Sequence, residues 1–159
     1  MTDLPGILNW RRITDRITTS GQPTEEQLAS IRRLGVSHII NLGPHHNKGA
    51  LADEAGTVAA LGMTYIYIPV EFDDPTEENF ADFRRAVEKL ADTTIHVHCI
   101  YNARVSAFFF RCALEGMVLT TAEAFANRET IWRPGDDWAS LIRQPDARGE
   151  PNRYAGYEY

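Results

Sequence analysis

Cysteine is scarce: Cys99 and Cys112 are the only two in a chain of 159 residues. That excludes a disulfide framework, so the fold has to come from its own core. Basic charge is short as well, with 16 Lys and Arg against 22 Asp and Glu and a formal net charge of -6. General nucleic-acid binding needs a basic face that displaces counterions from phosphates, so nucleic acid is excluded as a partner and any anion has to be caught locally. No apolar run approaches a membrane span, and the opening residues MTDLPGILNWRRITDR lack the basic-then-apolar pattern of a signal peptide. The expectation is a soluble, cytoplasmic protein from a reducing compartment, with no membrane partner. Internal repeats and low-complexity tracts are absent too.

What is present suffices for one core, because 43% of the residues are hydrophobic and the length is that of one ordinary domain. Arg12 to Thr19 have strand composition and end at SGQP. PTEEQLASIRRLG then reads as a helix, with Thr24 as N-cap, Gln27 as its capping-box partner, Leu28 and Ile31 on one face and Gly35 as the stop. Val36 to Leu42, VSHIINL, is a short apolar run of the buried parallel-strand kind, followed by the polar loop GPHHNKG. A helix over Leu51 to Leu61, a strand in MTYIYIPV and the loop EFDDP follow. Thr76 caps a helix in which Phe80, Phe83, Val87 and Leu90 recur at helical spacing. TIHVH gives one more strand, and TTAEAFANRETIW and DDWASLIRQ read as short helices. Strands alternating with helices of this length predict one α/β domain with a central, mainly parallel sheet flanked by helices, over residues 1–144. The segment 145–159, PDARGEPNRYAGYEY, has no periodicity and is expected to be a loosely ordered tail.

The chemistry concentrates in IHVHCIYNARVSAFFFRC, Ile95 to Cys112: a strand, a cysteine, a polar bend, an arginine and a helix. Open α/β sheets bind ligands beyond the carboxyl ends of their strands, where loops enter helix N-termini. Backbone N–H groups from Ile100, Tyr101, Asn102, Ala103 and Arg104 lack intrahelical partners there and can converge on an anion, helped by the positive end of the helix dipole. The same field and a nearby guanidinium favour thiolate over thiol at Cys99, which makes it a nucleophile. Arg104 adds a planar fork of donors that matches a phosphate or carboxylate. A lone cysteine is more often a small buried hydrophobe, and Cys112, among Phe108, Phe109, Phe110 and Leu114, is read as that.

The run VHC…R…S, with SGQPTEEQL, GVSHIINL and IPV…DDPTEENF upstream in that order, resembles the cysteine-dependent protein tyrosine phosphatases, in particular their compact dual-specificity-like bacterial branch. The resemblance spans Ile13 to Gly116. It implies a protein tyrosine phosphatase-like fold and a metal-independent hydrolysis of phosphomonoesters through a phosphocysteine, with no cofactor and with a phosphorylated protein or small phosphomonoester as substrate. It also implies that Cys99 attacks phosphorus, that the loop amides and Arg104 hold the phosphate oxygens, and that Ser106 assists thiolate departure. By the same resemblance, His98 orients the loop and an aspartate of EFDDP, Asp73 with Asp74 in reserve, is the general acid. Capping and turn formation is the other reading of DDPT. Five residues separate cysteine and arginine in the family signature, whereas four do here, and Ser106 stands at the seventh position after Cys99. Either the arginine has moved back one place, or one residue is deleted and Val105 replaces the hydroxyl. Asn102 stands where the family has glycine and is the non-glycine residue that best tolerates a left-handed backbone.

His96 is read as a core histidine, and His45, His46 and Lys48 as part of the cleft wall; the histidine spacing fits no common zinc pattern. Two other functions remain open. Four intervening residues is also the loop length of rhodanese-like sulfurtransferases, which carry a cysteine persulfide, and a phosphate-binding module with little or no turnover would use the same residues.

Overall fold

A computed structural model describes residues 2–143. Its centre is a five-stranded sheet in the order β1-β2-β5-β3-β4, formed by β1 Arg11–Arg12, β2 Ile17–Ser20, β3 His38–Asn41, β4 Thr64–Tyr67 and β5 Ile95–His98. Only β1 runs antiparallel; β2, β5, β3 and β4 are parallel neighbours. The helices are α1 Glu25–Arg33, α2 Glu54–Ala60, α3 Glu77–Lys89, α4 Ala103–Leu114, α5 Thr121–Glu129 and α6 Asp136–Leu141.

Two apolar layers follow from the alternation of side chains along the strands. Ile17, Ile40, Ile95 and Val97 face one layer, which α3 and α4 close with Phe80, Phe83, Val87, Val105, Phe108 and Phe109. Ile39 faces the other, where α1 and α2 supply Leu28, Ile31 and Val58. Helix α4 is buried from Ala103 through Ala113, with Arg104, Ser106 and Arg111 as the polar residues among its apolar ones. Because β5 enters the sheet between β2 and β3, the strand order reverses over its carboxyl end. Crevices for ligands form at such switch points.

The Thr24–Gln27 capping box is formed, Thr76 makes one with Asn79 and Thr120 makes one with Glu123. Each satisfies helix-end amides and stabilises by about 1 kcal/mol. Two boundaries differ from expectation. Arg12 to Thr19 is not one strand: the Thr14 hydroxyl accepts from the amides of Arg16 and Ile17, a side-chain bond that competes with extended pairing and turns the chain into a hairpin. Helix α2 begins at Glu54, not Leu51, because Asp53 caps it by accepting from the Gly56 amide. The expected tail over 145–159 lies outside the described residues. Among the described residues, no helix is long and apolar enough to cross a membrane.

Candidate active site

Cys99 follows β5 directly, and the next turn of chain leads into α4. Its thiol is free and fully buried. Asn102, the residue before the helix, has φ 72, the left-handed conformation its position requires. Its side-chain amide donates to the Asn9 carbonyl at 2.8 Å and to the Thr19 hydroxyl at 3.0 Å, so the strained residue is held from two sides.

The carbonyls of the loop are all engaged. Cys99 O accepts from the His98 ring at 3.0 Å, Ile100 O from the Gln22 amide at 3.0 Å and Tyr101 O from the Asn9 side chain at 2.9 Å. Asn102 O accepts from the Ser106 amide and Ala103 O from the Ser106 hydroxyl at 2.8 Å. In a planar trans peptide the N–H points opposite to its C=O. With the five carbonyls engaged by His98, Gln22, Asn9 and Ser106, the amides of Ile100 to Arg104 lie on the opposite side of their peptide planes. Two close backbone approaches hold the loop down. A methyl group on Gly21 would lie 2.7 Å from Ile100 O, and one on Gly43 would lie 3.2 Å from the Ile100 side chain.

Arg104, the second residue of α4, is fully buried and donates through Nη2 to Asn47 Oδ1 at 2.9 Å. Its guanidinium also lies 5.5 Å from the centre of the Phe72 ring. Asn47 belongs to the loop after β3, so that loop joins the site through asparagine. His45 of the same loop stacks on Tyr67 at 3.8 Å and meets the Tyr65 hydroxyl, while His46 pairs with Glu71. Phe72 ties the acidic loop to Arg104, and its carbonyl accepts from the Trp138 indole at 2.7 Å. Asp73 and Asp74 beyond it are exposed. Asp74 lines a surface cleft together with Pro75 and with Asp137 and Ser140 of α6.

Ser106 aims its one proton at Ala103 O and accepts from the Trp132 indole at 3.1 Å. In this state its hydroxyl braces the loop end. Val105, the residue directly after Arg104, is in the core.

His98 and His96 share one face of β5. His96 is a satisfied core histidine, between the hydroxyls of Thr18 and Ser20 at 2.8 Å each. Burial, and then the charge of His98, hold it well below the usual histidine range. His98 meets Glu54 Oε2 at 2.7 Å, and Glu54 Oε1 accepts from the Gln22 side chain at 2.7 Å. Burial pushes the Glu54 carboxyl up, but the charge and hydrogen bond of His98 with the bond from Gln22 outweigh it, leaving the carboxyl below its usual range. Burial raises the Cys112 thiol to about 12, so that cysteine is inert.

Asn9, Gln22, Asn47 and Glu54 were not visible as site residues in the sequence. Asn9 and Tyr101 are 92 positions apart, and Glu54 and His98 are 44 apart. Gln22 lies within SGQP, a segment that the resemblance did single out, and Glu54 reads from sequence as an ordinary first-turn helix acid.

The chain is similar to known phosphatase-like proteins. A protein of Shewanella putrefaciens CN-32 described as a candidate phosphatase (DUF442) superposes with TM-score 0.77 at 30% identity, over 87% of this chain and 91% of that one. The P. aeruginosa protein TpbA, solved in complex with pTyr, superposes with TM-score 0.69 at 15% identity over 92% and 90%, a likeness of fold. A Beta-lactamase hydrolase-like protein of Xylella fastidiosa strain Temecula1 is 32% identical over 91 residues, covering 55% of this chain and 21% of that longer protein. The family model for the phosphatase-like domain of Beta-lactamase hydrolase-like proteins matches residues 9–113, and the chain belongs to that family.

Proposed function

We propose that the protein is a metal-independent phosphomonoester hydrolase that works through a phosphocysteine on Cys99. One observation carries the reading: the five loop carbonyls from Cys99 to Ala103 all have hydrogen-bond partners, so the opposite sides of their peptide planes offer amides between a cysteine and an arginine at the start of a helix. Preorganised donors of this kind stabilise charge as it develops on transferring oxygens and supply the largest share of rate acceleration.

In the first step Cys99 Sγ forms a bond to phosphorus while the ester P–O bond breaks. The departing oxygen takes its proton from Asp73, which the tie of Phe72 to Arg104 favours over Asp74. The amides of Ile100, Tyr101, Asn102, Ala103 and Arg104 and the Arg104 fork hold the non-bridging oxygens. In the second step water attacks phosphorus, its proton passes to Asp73 and the S–P bond breaks to return the thiolate. Ser106 assists that departure once its hydroxyl turns from Ala103 O to the sulfur. The substrate is a phosphorylated protein or a small phosphomonoester.

Release of phosphate from an aryl phosphate in excess chelator, with vanadate as inhibitor, tests the reading. Turnover that vanadate blocks and Cys99→Ser abolishes is the expected result. Phosphate release by Cys99→Ser at the wild-type rate would remove the cysteine from the mechanism.

A further inference from the structure

The site includes a buried charge pair that the two chemical steps do not use. His98 Nδ1 faces the Cys99 carbonyl at 3.0 Å and Nε2 faces Glu54 Oε2 at 2.7 Å. A carbonyl and an ionised carboxylate only accept, so each ring nitrogen has to donate and the ring carries a proton on both. His98 and Glu54 are both fully buried, with 0% and 1% side-chain exposure, so each charge relies on the other. Glu54 Oε1 then accepts from the Gln22 side chain, and the backbone amide of the same Gln22 donates to Ile100 O. The bonds close a ring: Cys99 carbonyl, His98, Glu54, Gln22, Ile100 carbonyl.

We propose that Glu54 is a positioning residue of this site: through His98 and Gln22 it fixes the first two peptide planes of the loop and keeps a positive ring on the Cys99 carbonyl. The proposal rests on the phosphatase reading, since it assigns Glu54 to that reading's nucleophile and cradle. Fixing the carbonyls of Cys99 and Ile100 fixes the amides of Ile100 and Tyr101, two of the five that face an anion. A positive ring bonded to the Cys99 carbonyl favours thiolate against the burial of the thiol, which opposes it. The remaining titratable groups around the pair do not take over this work. His96, whose ring centre is 6.3 Å from that of His98, is held neutral, and the Tyr65 phenol is pushed up by burial and by the Glu54 charge, so it stays neutral as well. His45 adds the smallest contribution to the field at Glu54 and meets the Tyr65 hydroxyl.

Glu54→Gln keeps the volume and a hydrogen-bonding head group but removes the counter-charge. An unpaired buried charge is costly, so the variant cannot keep the charge pair that holds the Cys99 carbonyl. The measurement is the fraction of Cys99 present as thiolate across pH, read as ultraviolet thiolate absorbance with a Cys99→Ser sample subtracted. In the wild type the thiolate should predominate at neutral pH. In Glu54→Gln it should fall about tenfold at a fixed acidic pH, and phosphatase activity should recover as pH is raised, which a purely structural defect would not allow. Gln22→Met, which leaves the ion pair in place, keeps the test decisive if Glu54→Gln does not fold, and should lower the thiolate fraction in the same direction by a smaller factor. A folded variant whose thiolate fraction matches or exceeds the wild type would overturn the role of Glu54 alone. Absence of thiolate from the wild type at neutral pH would overturn the nucleophile, and with it the function reading itself.

Discussion

Arg104 illustrates what a single side chain contributes at this site. Its fork is held by Asn47 on one side and by the Phe72 ring on another, so the guanidinium is aimed before any substrate arrives. Lysine has no fork to aim, and Arg104→Lys should lower kcat/KM by about 100-fold, the loss typical of removing one preorganised donor; unchanged kinetics would show that Arg104 does not reach the substrate. Asn47→Ala removes the aim but leaves the charge, and a milder loss of about tenfold is expected, with vanadate inhibition weakened in parallel. Equal vanadate affinity in Asn47→Ala and wild type would argue against that role. At this scale the sequence was legible where the chemistry is local. Cys99, Arg104 and the left-handed Asn102 follow from a few consecutive residues and the backbone each demands. Asn47, Asn9 and Glu54 were hidden because an amide or a carboxylate has no distinctive short-range pattern, and only the folded chain brings them to the loop.

Among the elements, the loop from Cys99 to α4 depends on neighbours that approach it closely. Gly21 has no room for a side chain: a methyl would meet the Ile100 carbonyl at 2.7 Å and the Leu8 side chain at 2.9 Å. Gly21→Ala should therefore cost about 1–3 kcal/mol of stability and displace the peptide between Ile100 and Tyr101, reducing activity in the protein that still folds. A urea unfolding curve together with kcat/KM checks it, and a variant equal to wild type in both would mean that the loop is not braced there. The helices and parallel strands were readable from period, caps and stops. What escaped were the hairpin before β2 and the start of α2, each set by one side chain, Thr14 or Asp53, bonding to nearby amides. Such bonds compete with the regular pattern, and composition alone does not decide the contest.

For the whole molecule, the polar face of β5 makes folding sensitive to acid. His96 is buried neutral and held well below its ordinary value of 6.5, so below that pH the unfolded chain gains a proton that the folded one does not take up. Stability rises with pH wherever the unfolded state binds more protons, so it should begin to fall as pH drops below 6.5, by up to about 1.4 kcal/mol per pH unit. The Glu54 carboxyl, held below its ordinary 4.5, adds a loss of the same sign as pH falls further, through the ordinary carboxyl value toward its folded one. Urea midpoints measured through this range should decline in two stages, and the first stage should vanish in His96→Gln. A flat profile down to the carboxyl range would mean that His96 is protonated in the folded protein. At this scale the α/β fold with a central, mainly parallel sheet was foreseen, because alternation of strand and helix leaves few topologies open, while the antiparallel β1 was not.

The most direct test of the account is to quench the protein during turnover of an aryl phosphate and locate any covalent adduct by peptide mass spectrometry. A phosphoryl group on Cys99, absent in Cys99→Ser and formed in excess chelator, is the expected result. Steady turnover with Cys99 unmodified, or a Cys99 that takes up sulfur from thiosulfate and never phosphate, would contradict it.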